Sequence, residues 1–164
     1  MKFVCYTFEE LDKQTLYEIL AHRQDVFVLG RHDIYRDLDG FDQKSLHLLA
    51  LDEDGRIQGY VRLLPASLHY DGCEENAFGR LSVKESVRGQ GLGRELVCRG
   101  IDILLQNNEC QSVRISAMAY LENFYQNIGF QRTSEVFDIS GVPHVTMRYT
   151  RTRNDSKKSD GING

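Results

Sequence analysis

The sequence has no apolar run approaching the roughly 18 residues that a membrane-crossing helix requires, and its first ten residues, MKFVCYTFEE, carry none long enough for a secretory signal. A soluble, cytoplasmic chain is the expectation. Its four cysteines (Cys5, Cys73, Cys98, Cys110) form no CxxC pair and no metal-ligand spacing, so reduced thiols are expected and no metal is. A basic surplus is also lacking. The net charge is −4; the tail from Arg151 to Gly164 holds four basic and two acidic residues, so the body without it stands at −6. That speaks against nucleic acid, which favours a basic face. Internal repeats and linkers are absent from the first 149 residues.

What is present suits one domain: 164 residues, 41% apolar and 27% charged, enough to build a core without a disulfide or metal. Short β-rich runs alternate with helical patterns. Lys2 to Phe8 reads as a strand, and Asp12 can cap a helix with Leu16, Ile19, Leu20 and Arg23 spaced three and four apart. Residues 30 to 42 read as loop or short helix. Leu46 to Asp52, Ile57 to Ala66 and Ala77 to Val83 read as a meander, with the DEDG turn between the first two. A glycine-rich turn then opens a helix whose apolar face is Leu92, Leu96, Val97, Ile101, Leu104 and Leu105. Ser112 to Ala119 is a further strand, and a short helix over Leu121, Phe124, Tyr125 and Ile128 stops at Gly129. Strands over 131–138 and 142–149 are expected to close a hairpin at Ser140-Gly141. The whole is an α/β chain whose centre, strand–turn–helix–strand, implies locally parallel strands. Residues 1–149 are expected to form the domain, with 150–164 a disordered polar tail.

The turn VRGQGLG, Val87 to Gly93, carries the chemistry. Its glycines permit positive φ and leave no side chains in the way. The opening N–H groups of the helix then face open space, with the positive end of the helix dipole behind them. Such a cradle suits phosphate or pyrophosphate, and Arg88 and Arg94 add charge at its rim. A P-loop would need Lys followed by Ser or Thr. A dinucleotide fingerprint would need a third glycine where Arg94 stands.

Arg88-Gly89-Gln90-Gly91-Leu92-Gly93 resembles the acetyl-CoA motif, Arg/Gln-x-x-Gly-x-Gly/Ala, of the GCN5-related N-acetyltransferase (GNAT) superfamily. A strand ending LSV precedes it, and a later helix ending Tyr125-Gln126-Asn127-Ile128-Gly129-Phe130 is similar to the family's second motif. The segments LYEILAHRQDVFV, YRDLDGFD, HLLA, GRLSV, LENFYQNIGF and GVPHVTMR resemble the ElaA-type branch, over roughly residues 10 to 149. The resemblance implies the GNAT fold: a mixed central β-sheet flanked by helices, with strands splayed around the coenzyme A arm. It implies that Arg88, Gly89, Gln90, Gly91, Leu92 and Gly93, with Arg94 assisting, hold the pyrophosphate of acetyl-CoA. The pantetheine arm would lie between Leu81, Ser82 and Val83 on one strand and Ser116 to Ala119 on the other, with Asn123 touching it. Tyr125 matches the position assigned as general acid.

An alkyl ammonium is neutral in only about one molecule in 2,500 at pH 7, so a base or water relay must deprotonate the acceptor. Asp39, Asp42, His47 and His144 are candidates. The two histidines are favoured because imidazole titrates near working pH, though His47 lies within a strand. The acids of YRDLDGFD, Asp37, Asp39 and Asp42, read equally as an ammonium-binding site or as loop caps; a calcium loop would need a later bidentate Glu. Arg62 and Arg80 fit structural ion pairs better than a substrate carboxylate.

The resulting expectation is an N-acetyltransferase acting by direct transfer in a ternary complex, on a small-molecule or peptide amine, with a homodimer left open. The alternatives are a non-catalytic acyl-CoA-binding or sensor module and a binder of another phosphate ligand.

Overall fold

In the computed structural model, residues 1–29, 36–106 and 110–151 are described. They form one eight-stranded sheet ordered β1-β2-β3-β4-β5-β8-β6, with β7 also paired to β8. The strands are β1 (Lys2–Thr7), β2 (Leu46–Leu51), β3 (Ile57–Leu64), β4 (Asn76–Val83), β5 (Ser112–Met118), β6 (Gln131–Arg132), β7 (Phe137–Ile139) and β8 (Val142–Thr150). Helices α1 (Lys13–Arg23), α2 (Leu92–Leu104) and α3 (Glu122–Gln126) pack against it. Every neighbouring pair is antiparallel except β4–β5.

Period-two alternation explains why the central strands are apolar at nearly every position. Leu48, Ala50, Val61 and Leu63 point to the α2 side and join the main core, whereas Leu49, Ile57 and Tyr60 meet Ile19 of α1 on the other. Helix α2 lies close to the sheet because two positions lack a side chain. A Cβ on Gly100 would stand 2.8 Å from Leu63 Cδ2, and one on Gly59 2.7 Å from Leu96 Cδ1. Asp12 caps α1, accepting from the Thr15 amide at 2.7 Å. Gly129, at φ +116°, ends the α3 segment with the paired bonds Gly129 N–H to Gln126 O and Phe130 N–H to Tyr125 O.

One expectation changes. The strand expected over 131–138 is two pieces, because the Ser134 hydroxyl takes the Thr146 amide at 2.8 Å and substitutes for a ladder bond. The chain after α1 widens into a π-type turn, Gln24–Leu29, that buries Phe27. Strand β8 reaches Thr150, and Arg151 pairs with Asp102 at 2.7 Å. The rest of the expected tail, 152–164, lies outside the described residues, as does 30–35 of the expected loop. Among the described residues no helix is long and apolar enough to cross a membrane.

Candidate active site

Strands β4 and β5 pair only at Asn76↔Val113 and Ala77↔Arg114, then part. Asn76 closes the joined end by donating to Cys110 O and Ser112 O, both at 3.2 Å. The parting has a visible cause. Tyr60 pairs with Ser82 while Arg62 pairs with Gly79, so three steps on β4 oppose two on β3. This β-bulge places Arg80 at φ +56°, a strained setting for a side-chain-bearing residue. The opening is a cavity of about 570 Å³ lined by Phe78, Leu81, Arg114, Tyr125 and His144 among others.

The bulge is fastened from outside the cleft. Arg80 donates to Asp37 Oδ1 at 2.7 Å and to the Asp37 carbonyl at 2.8 Å. Asp37 also binds Arg23 at 2.9 Å, Arg23 binds Asp42 at 2.6 Å, and Asp42 reaches Arg62 at 3.1 Å. Arg62 holds Asp39 at 2.6 Å, and Asp39 returns to Arg80 at 3.3 Å. Three arginines and three aspartates thus alternate in a closed, charge-neutral ring, with the Arg23 and Arg62 side chains fully buried. Burial raises the Asp39 carboxyl's pKa, but the hydrogen bond and charge of Arg62 outweigh it and leave it at about 2. Burial likewise opposes ionisation of Asp42, yet Arg23 and Arg62 hold its pKa below the ordinary value. The arginine pairing expected for Arg62 and Arg80 is thereby realised. Asp39 and Asp42, expected equally as ammonium-binding acids or as loop caps, are both bonded to these arginines, and Asp39 Oδ1 also accepts from the Phe41 amide at 3.1 Å.

The structure does not bring His47 to the cleft. It is fully buried, its Nε2–H donating to the Asp42 carbonyl and its Nδ1 accepting from Tyr60 Oη, both at 2.9 Å. Burial lowers its pKa, which favours the neutral ring already occupied at both nitrogens. His144, in contrast, lines the cleft. Its Nδ1–H donates to Val142 O at 2.7 Å, which leaves Nε2 as the basic nitrogen of the neutral ring. Tyr125 is buried on α3 and lines the same cleft. Its ring packs at 4.9 Å from Phe124, 5.6 Å from Phe130 and 6.1 Å from Phe78.

The glycine turn begins where β4 ends. Gly89 and Gly91 have φ of +75° and +84°, and a Cβ at either would meet nothing within 4 Å. No main-chain amide from Gly89 to Arg94 finds an acceptor among the described residues; the first to do so is Glu95, onto Gly91 O at 3.0 Å. These are the orphan donors of a helix start, grouped on an exposed surface. Arg88 donates to Val83 O at 3.1 Å and Arg94 to Asn127 O at 2.9 Å, which ties the turn to β4 and to the end of α3. Asn123 is exposed two residues before Tyr125. Ser82 is buried, with its hydroxyl 3.1 Å from His22 Nε2, so its side chain faces away from the cleft. The cleft therefore gathers Arg80, Leu81, Ser116, Ala117, Met118, Tyr125 and His144 from the expected set. It adds Arg114, whose sequence signal was its position between Val113 and Ile115 of the core, on the opposite parity of β5.

A sheet that parts beside a glycine turn, with orphan amides at the foot of the opening, defines an acyltransferase architecture. A family model described as an acetyltransferase (GNAT) domain matches residues 14–151. The chain belongs to this family. It is 34% identical over 140 residues to a UPF0039 protein of Synechocystis, covering 85% of this chain and 89% of that one. An acyl-CoA N-acyltransferase from Pseudomonas aeruginosa superposes with a TM-score of 0.82 at 30% identity, over 91% of this chain and 99% of that one. Escherichia coli ElaA does so with a TM-score of 0.80 at 31% identity, over 90% and 98%.

Proposed function

We propose that the chain is an acetyl-CoA-dependent N-acetyltransferase that transfers the acetyl group to an amine by direct attack in a ternary complex, in the cytoplasm. The observation that carries this reading is the row of amides at Gly89 to Arg94 without an acceptor among the described residues, beside the β4 edge that parts from β5. A diphosphate satisfies such donors and is favoured by the α2 dipole. The open geometry at Gly89 and Gly91 leaves room for it. A pantetheine arm, which carries amides of its own, suits the β4 edge that parts from β5 beyond Ala77 as an added strand would. That is the role we give to Leu81, Ser82 and Val83 through their backbone, with Asn123 flanking.

In this reading His144 Nε2 takes the proton from the attacking ammonium, directly or through water. The amine nitrogen bonds to the thioester carbonyl carbon, the carbon–sulfur bond breaks, and the Tyr125 hydroxyl protonates the departing thiolate. The nitrogen's second proton passes to the Tyr125 phenolate, directly or through water, as the amide forms, and the imidazolium releases its proton to solvent. No covalent enzyme intermediate is needed, and no cysteine belongs to this set. The acetyltransferase unit is residues 1 to about 151, with the polar tail outside it.

Calorimetric titration with coenzyme A and a thiol-release assay with acetyl-CoA and an amine panel test the reading together. Binding with turnover is expected. Failure of coenzyme A to bind at millimolar concentration overturns it.

A further inference from the structure

The cleft's charge is opposite to that of the molecule around it. Its charged lining is Arg36, Arg80, Arg114 and Asp71, in a chain of net charge −4. Arg80 is already neutralised by Asp37 and Asp39. Arg114 is not. Its side chain is only 15% exposed, its Nε is buried with no hydrogen-bond partner, and its one ion pair among the described residues is Asp71 at 3.7 Å, beyond hydrogen-bond reach. Asp71 is itself 70% exposed. The other arginines embedded in this region are each bonded to a carboxylate within hydrogen-bond reach: Arg23, Arg62 (whose Nε, like that of Arg114, has no partner among the described residues) and Arg80 in the ring, and Arg148, the register partner of Arg114, on Glu75 at 2.8 and 3.0 Å. A guanidinium withdrawn from water without a bonded anion is unfavourable, and a bidentate carboxylate is the planar partner that it fits.

Its placement suits an acceptor. Val113, Ile115 and Ala117 turn into the core under α2, so Arg114 and Ser116 occupy the opposite face of β5. There the antiparallel register sets Met118 beside His144 and Arg114 four pairs further along, at the joined end of the wedge. A molecule whose amine lies near His144 can extend its far end to Arg114.

We propose that the acceptor is an amine that carries a carboxylate, an amino acid or a peptide's free C-terminus, held by the Arg114 guanidinium with Arg36 adding charge. This rests on the acetyltransferase reading above and names its substrate class.

The test offers acetyl-CoA with the common α-amino acids, each against its own amide, and with dipeptides bearing a free or amidated C-terminus. We expect kcat/KM at least tenfold higher for the carboxylate forms; whichever of the free amino acids or dipeptides is preferred identifies the source. Arg114→Met should abolish that gap mainly through KM, and Arg114→Lys should restore part of it. Independently, with coenzyme A bound, the preferred acid should raise the Tm of wild type and not of Arg114→Met, while its amide raises neither. Amides that serve as well as acids, or a gap that survives Arg114→Met, overturn the proposal. No rise in Tm from coenzyme A alone instead overturns the acetyltransferase reading beneath it.

Discussion

Asp42 Oδ1 lies 2.6 Å from Arg23 Nη1 and 3.1 Å from Arg62 Nη1, one carboxylate oxygen bridging two fully buried guanidinium groups. It joins α1 to β3, and through Asp37 and Asp39 the same ring reaches the Arg80 bulge that opens the cleft. Removing one member of such a set leaves uncompensated buried charge, which costs about 3–5 kcal/mol. Asp42→Asn should therefore lower the urea midpoint strongly. An Arg23→Met/Asp42→Leu double variant should lose less than the sum of its singles. A loss below about 1 kcal/mol for Asp42→Asn would show the ring to be dispensable.

The same ring predicts an acid limb of stability. The Asp39 carboxyl has its pKa lowered from 3.8 to about 2 in the fold. The folded state therefore holds fewer protons than the unfolded one between those values. The stabilisation is fully present above about pH 4, and it is lost as pH falls toward 2. Denaturant melts should weaken over that window in wild type, and Asp39→Asn should show a shallower fall from its own lower baseline.

Gly91 and Gly100 separate binding from folding. Gly91 sits at φ +84° in open space, so Gly91→Ala strains the backbone by about 1–2 kcal/mol and places a methyl among the orphan amides. We expect at least a tenfold weaker Kd for coenzyme A by calorimetry. In Gly100→Ala the new methyl meets Leu63 Cδ2 at 2.8 Å beneath α2. It should reduce Tm with little change in Kd. Equal affinities for Gly91→Ala and wild type would count against the cradle.

Much of this was legible in the sequence. The glycine turn, the Asp12 cap, the apolar face of α2 and the Gly129 stop all depend on local chemistry, and each stands where its residues put it. The β4 bulge was not legible, because it follows from a three-against-two register that no local pattern of GRLSV encodes. The acidic loop was open to two readings for a related reason. Asp39 and Asp42 look like free acids until the fold brings Arg62 from 20 or more residues away. His47 looked like a base because sequence gives its titration range but not Tyr60 and the Asp42 carbonyl, which occupy both nitrogens.

Tyr125 packs among three phenylalanines, so Tyr125→Phe keeps the ring and deletes only the hydroxyl. If that hydroxyl protonates the leaving thiolate, kcat should fall about 10²-fold or more. Tm and the Kd for coenzyme A should stay near wild type. Unchanged kcat with chemistry shown to be rate-limiting would remove Tyr125 from the mechanism.

His22 supplies a control on the titration arguments, because it lies outside the cleft. Burial lowers its pKa from 6.5 to about 4, and its Nδ1 has no hydrogen-bond partner among the described residues. A histidine whose folded pKa is depressed contributes stability that is present above its unfolded value and lost as pH falls toward the folded one. The loss here is about 3 kcal/mol between pH 6.5 and 4. His22→Gln should flatten the stability profile across that window while leaving kcat unchanged at pH 8. His144→Gln should instead reduce kcat about 10²-fold. The two variants together separate a histidine that the fold keeps neutral from one that the reaction uses, and exchanged outcomes would reverse the assignment.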